Sequence, residues 1–137
     1  MASSVDLVSR PRKPRIKFGS PGRTLCALAG NLSDARFTPV IDTLIPDREG
    51  LDYFVKALRP RRVLVVVLIP TIEVHRYRNT IREPEEQFFF DDYETLIAGM
   101  RQGFGTVGWW FDTSSLTPAE TASQIIASAG TLAGKGL

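Results

Sequence analysis

Residues 62–70, RVLVVVLIP, decide how this chain folds. Val63 through Ile69 are aliphatic without a polar interruption. A half-buried strand alternates apolar with polar residues, whereas an unbroken β-branched run is the pattern of a central strand in a parallel sheet, covered on both faces. The run is far shorter than the roughly 20 apolar residues that cross a bilayer as a helix. Pro70 ends it, because proline cannot donate to a strand ladder.

Helical patterns stand on both sides. Upstream, residues 48–59 (REGLDYFVKALR) place Leu51, Phe54, Val55 and Leu58 on one face, and Asp47 is positioned as the N-cap. Downstream, residues 71–82 read as a basic helix, and Pro84 breaks the pattern. Residues 91–104 give another helix, with Asp91 and Asp92 near its positive end. Residues 108–113 (GWWFDT) read as a strand in which the adjacent tryptophans face opposite sides, each beneath a helix. Thr117, Pro118 and Glu120 then supply an N-cap, a proline at N1 and a reciprocal glutamate at N3, opening a last helix that runs to about residue 130.

Nearer the N-terminus, residues 23–36 place Leu25, Leu28, Ala29 and Leu32 at helical spacing, and residues 38–46 (TPVIDTLIP) read as a short buried strand with Asp42 toward its end. Strands alternating with helices predict an α/β domain: a parallel sheet flanked by helices in three layers. Ligands of such sheets sit at the carboxyl ends of the strands, where Asp42, Pro70, Asp112 and Thr113 fall.

At 137 residues and 43% apolar content the chain supports one soluble domain. One cysteine, Cys26, excludes an internal disulfide framework, and one histidine, His75, argues against a histidine-based metal site. No stretch predicts a membrane span or a signal peptide, so the expectation is a cytoplasmic protein with no membrane partner. The net charge of +2 hides an asymmetry: residues 10–23 carry six basic side chains and no acidic one, while from residue 24 onward 11 basic side chains face 14 acidic ones. The expected division is a basic, poorly ordered arm over residues 1–21 and a folded domain over 22–137. The arm reads either as a solvated tail or, less favoured, as a contact for nucleic-acid phosphates.

Four places in the sequence can carry chemistry. In 40-VIDT-43 an apolar run ends in Asp42, a carboxylate that either caps a loop or holds magnesium beside phosphates. In 73-EVHRYRNTIR-82, Arg78 and Arg82 are four apart, a spacing that lets two guanidiniums clamp a phosphate or pair with the surrounding glutamates. Asp112 and Thr113 either orient a ligand at a strand end or cap the turn. Residues 88-FFF-90 pack under a loop or form a patch for a partner. Residues 19-GSPGRT-24 imitate a shortened phosphate loop, with Arg23 and Thr24 in its last two positions, but no window of the chain matches G-x-x-x-x-G-K-[ST].

Taken together, residues 23–130 resemble small P-loop kinase-like ATP/GTP-binding proteins of the chloramphenicol phosphotransferase and shikimate kinase group. The matching stretches are RTLCALAG, FTPVIDTLIPDR, RVLVVVLIP with RYRNTIR, and GWWFDTSSLTPAETASQII. The resemblance implies a P-loop NTPase-like sheet truncated of its first strand and P-loop, Mg-ATP or Mg-GTP as cofactor, and phosphoryl transfer to a small hydroxyl-bearing acceptor, weak or absent without the phosphate cradle. It also implies site residues: Asp42 as the magnesium carboxylate, Arg78 and Arg82 as lid arginines, Asp112 and Thr113 near the base, and Arg23 toward phosphate or substrate. The missing first strand leaves a gap between the strands at 38–43 and 62–69, a place for self-association. The alternative is a non-catalytic binding or assembly module that uses that gap or the basic arm.

Overall fold

A computed structural model describes residues 21–87 and 92–132. Its elements are α1 (Pro21–Asp34), α2 (Arg48–Leu58), β1 (Val66–Ile69), α3 (Ile72–Thr80), a 3-10 turn (Pro84–Glu86), α4 (Tyr93–Phe104), β2 (Trp109–Asp112) and α5 (Pro118–Leu132). The chain is therefore mixed α/β. β1 and β2 pair in parallel, Val66 opposite Trp109 through Ile69 opposite Asp112.

The register sorts the side chains. Val67 and Trp110 share the face that α2 and α4 cover, where Leu51, Met100 and Phe104 complete a core cluster. Leu51 and Phe104 are almost fully enclosed. α1 lies against α2 through a second cluster of Cys26, Ala29, Phe54 and Leu58. α4 and α2 approach closely at Gly103, where a Cβ would lie 3.2 Å from the Arg48 backbone nitrogen. The turn from α4 into β2 uses Gly105 at φ 58° and Gly108 at φ 91°. A side chain at Gly108 would also press on Val65 Cγ1 at 3.3 Å, so this turn requires glycine twice over.

The helix ends are built as their sequences dictate. The Asp47 carboxylate accepts from the Gly50 amide at 2.8 Å. At the start of α5 the Thr117 hydroxyl accepts from the Glu120 amide at 3.2 Å, and the Glu120 carboxylate accepts from the Thr117 amide at 2.8 Å. This is the reciprocal capping box that the spacing predicts.

Two expectations about strands need correction. Residues 38–46 form no strand: Val40 is 89% exposed, while Ile41 and Ile45 are only partly buried against the helices. Apolar residues between Pro39 and Pro46 can anchor an irregular crossing by two side chains, and no sheet edge is paired with them. The second correction concerns β1, which is shorter than the 62–69 run and is not covered on both faces. Leu68 is 52% exposed, because its face of the sheet also holds Val66, Trp109 and Phe111 and is only partly shielded. The expectation for 88-FFF-90 lies outside the described residues, as do residues 1–20 of the basic arm.

Candidate functional site at the strand ends

A cleft of about 440 Å³ opens at the carboxyl ends of β1 and β2. Its floor is Ile69 and Pro70, where β1 stops, together with Asp112, where β2 stops. Thr71 and Ile72 at the start of α3 form one wall. α4 forms the other through Tyr93, Glu94, Ile97, Ala98 and Arg101, a stripe along one side of the helix. α4 turns into β2 within four residues, so it runs back along the strand and brings its N-terminal end to the carboxyl edge.

A short hydrogen-bond relay fixes the floor. The Thr71 amide donates to the Ser114 hydroxyl at 2.8 Å. The Ser114 hydroxyl and amide both reach Asp112 Oδ1, at 2.5 and 2.9 Å. These two bonds, with Arg78 nearby, hold the Asp112 carboxyl below the usual aspartate range even though it is solvent-exposed. Asp112 is therefore an anion at neutral pH.

Arg78 crosses from α3 to the loop after β2. It donates to Thr113 Oγ1 at 3.1 Å, to the Thr113 carbonyl at 2.6 Å and to the Leu116 carbonyl at 3.2 Å. Thr113 is buried. The guanidinium thus satisfies the Leu116 carbonyl and adds a second donor to the Thr113 carbonyl, which also accepts from the Leu116 amide at 3.3 Å, a structural use of the charge.

His75 stacks on Tyr93 with ring centroids 3.9 Å apart and planes within 8°. Burial, then the charges of Arg82 and Arg76, push the imidazole below its ordinary value. Burial raises the Tyr93 phenol. Arg101 lies over Trp110, its guanidinium carbon 4.6 Å from the ring centroid.

The expected site residues do not converge. Asp112 alone lines the cleft. Thr113 is buried beside it, with Arg78 bound to it. Arg78 lies on α3, which ends at Thr80, and Arg82 lies just past the C-cap residue Ile81. Asp42 is exposed on the irregular crossing and does not line the cleft. Arg23 is exposed on α1, inside a helix rather than a phosphate loop, and borders a separate hollow of about 340 Å³ with Cys26, Tyr53 and Arg61. Arg61 is held there by both carboxylate oxygens of Asp34, at 2.7 and 2.8 Å.

The α4 residues Tyr93, Glu94, Ile97 and Arg101 were not foreseen as a site. Their helical spacing was legible, but which side of α4 meets the strand ends follows only from how α4 packs. Among the described residues no group of three or more His, Cys, Asp or Glu side chains gathers as a metal site. Likewise, no described helix is long and apolar enough to cross a membrane. Comparison with protein-family models, curated proteins and solved structures gives no match.

Proposed function

We propose that this chain is a P-loop kinase-like α/β domain that binds a small hydroxyl-bearing molecule, and more weakly a nucleotide, in the strand-end cleft, with phosphoryl transfer weak or absent. The observation that carries the reading is the coincidence of a cleft with the carboxyl ends of a parallel pair, the place where open α/β sheets take ligands. Its lining suits such a molecule: apolar surface from Ile69, Pro70 and Ile97, and acceptors from Asp112 and Glu94.

Phosphoryl transfer asks for cations around the transferred group. Arg78, a candidate for that role, is engaged with the loop after β2, and Arg101 lies on Trp110. Magnesium on this reading arrives with the nucleotide phosphates rather than in a preformed carboxylate site, since Asp42 stands away from the cleft lining. The full three-layer sheet of the kinase-like fold is part of the same proposal.

Calorimetric titration with adenosine and with Mg-ATP tests it. Saturable binding that Asp112→Asn weakens by about tenfold, equivalent to about 1.4 kcal/mol, and that Asp42→Ala leaves unchanged is the expected result. No heat with either ligand at millimolar concentration would overturn the reading.

A second reading, an assembly module, is favoured by the sheet itself. Among the described residues it has two strands, and Leu64 beside β1 and Leu68 on it stand 36% and 52% exposed. Two strands alone are marginal, and an unpaired edge invites another strand. Concentration-dependent sedimentation that Leu68→Lys abolishes would favour this reading over the first.

A further inference from the structure

We propose that the free edge of β1 is a docking site for the chain's own N-terminal segment, residues 1–20, with 15-RIKF-18 bound there as a strand parallel to β1. The proposal concerns the sheet edge and does not depend on what the cleft binds.

Among the described residues the edge is open. The Trp109 amide donates to the Val65 carbonyl at 2.8 Å, and the Thr113 amide donates to the Ile69 carbonyl at 3.4 Å. Residues 65, 67 and 69 therefore turn their backbone groups toward β2, and the amides and carbonyls of Val66 and Leu68 point the other way, where no described strand pairs. The helix layer is wider than this sheet. α2 lies between α4, which it meets over Val67 and Trp110, and α1, which packs on its other side through Cys26, Ala29, Phe54 and Leu58. α1 thus overhangs the free edge, and Leu28 and Leu32, one turn apart on it, are 55% and 37% exposed.

Direction and hand name the occupant. Asp34, the last residue of α1, holds Arg61, just before the β1 run, at 2.7 Å, and a Cβ on Gly22 would lie 3.1 Å from Tyr53 in the middle of α2. α1 therefore runs parallel to α2 and antiparallel to β1, and it begins toward the carboxyl edge of the sheet. A segment entering α1 from that edge arrives parallel to β1. The chain passes from β1 through α3 and α4 to β2, and α4 covers the same face of the sheet as α2. Crossovers between parallel strands are right-handed in about 98% of cases. Two crossovers of one hand, with helices on one face, step across a sheet in one direction. The step from β1 to β2 thus puts a strand upstream of α1 on the opposite side of β1, at its free edge. A second copy pairing its β1 there about a twofold axis would bring its own α2 into the space that α1 fills.

The sequence before α1 suits an edge strand covered on one face. Ile16 and Phe18 alternate with Arg15 and Lys17, and charged residues on the open side are how edge strands resist further pairing. Pro14 precedes the stretch, where a strand tolerates proline. Gly19 and Ser20 leave a two-residue link to α1, within the range of strand-to-helix connections.

NMR on the full chain tests it, by backbone NOEs and amide hydrogen exchange at a low and a high chain concentration. The expected result is NOEs from Lys17 to Val66 or Leu68 at both concentrations. Protection of the Val66 and Leu68 amides should fall at least about tenfold in the Ile16→Asp/Phe18→Asp variant, while the amides of Leu51 and Phe104 keep theirs. Open exchange at Val66 and Leu68 in the unaltered chain overturns the proposal, and so does protection that the variant leaves unchanged. Protection that appears only at the high concentration, with a dimer in sedimentation, assigns the edge to a second copy and also overturns it. Should the variant not fold in a thermal melt, the NOEs of the unaltered chain decide alone.

Discussion

Arg78 and Thr113 are joined twice, side chain to side chain at 3.1 Å and side chain to carbonyl at 2.6 Å, across 35 residues of sequence. The pair ties α3 to the end of β2 beneath the cleft. An arginine that the sequence offers as a phosphate clamp braces the loop after β2 in the folded chain.

Removing the brace should therefore cost stability. Arg78→Ala leaves the Thr113 hydroxyl and the Leu116 carbonyl without this donor, while the Thr113 carbonyl keeps the Leu116 amide at 3.3 Å. Unsatisfied buried polar groups cost about 1–3 kcal/mol, so the thermal midpoint should fall by several degrees. Arg78→Lys should recover only part, because an ammonium cannot reproduce the planar fork. Thermal unfolding of the three chains followed by circular dichroism checks this.

The core between the sheet and its helices makes a sharper prediction. Leu51 is 1% exposed and packs with Val67, Met100 and Phe104. Leu51→Ala should cost about 2–5 kcal/mol, the range for emptying a buried leucine site. Val40→Ala, at an 89% exposed position, should change stability by less than about 0.5 kcal/mol. Urea denaturation of both variants compares the two costs directly.

His75 gives a pH dependence of known sign. Its folded value lies below the ordinary 6.5 because burial and the charges of Arg82 and Arg76 disfavour the imidazolium. The unfolded chain therefore binds the proton first. Stability from this group is intact above 6.5 and declines as the pH falls from there to the folded value, below which it is level. An NMR titration of the imidazole should show a midpoint under 6.5, and His75→Phe should remove this part of the slope while keeping the stack on Tyr93.

A second acid-side loss comes from carboxylates. Hydrogen bonds from Ser114 depress Asp112, and hydrogen bonds from Thr117 depress Glu120. A depressed carboxylate stabilises the fold above its unfolded value, 3.8 for aspartate and 4.5 for glutamate, and that support is lost as the pH falls through the lower folded value. Acid titration of stability for Glu120→Gln and Asp112→Asn should show shallower declines below pH 4.5 than the unaltered chain.

Much of the fold was legible because local rules settled it. The helices beginning at Arg48, Tyr93 and Pro118 follow from apolar periodicity and from the caps at Asp47 and Thr117. The parallel pairing of β1 with β2 follows from their intervening helices. What failed was tertiary. Burial of 62–69 on both faces and a strand at 38–46 each depend on neighbours, and the aliphatic run alone does not supply them: Leu68 and Val40 are exposed. The site was half legible. Asp112 at a strand end could be read from position, whereas Glu94, Tyr93 and Arg101 join it only through the direction in which α4 packs. Asp42 and Arg23 fit a pattern of residue types but lie away from the strand-end cleft.

The central claim is that the strand-end cleft, and not the exposed Asp42 crossing, is where this chain takes a ligand. The direct measurement is an amide-resolved NMR titration with adenosine. The account predicts saturable shifts confined to residues around Ile69–Ile72, Tyr93–Arg101 and Asp112–Ser114, with Thr38–Leu44 unmoved. Shifts centred on Asp42, or on Arg23 and Tyr53 at the second hollow, would contradict it.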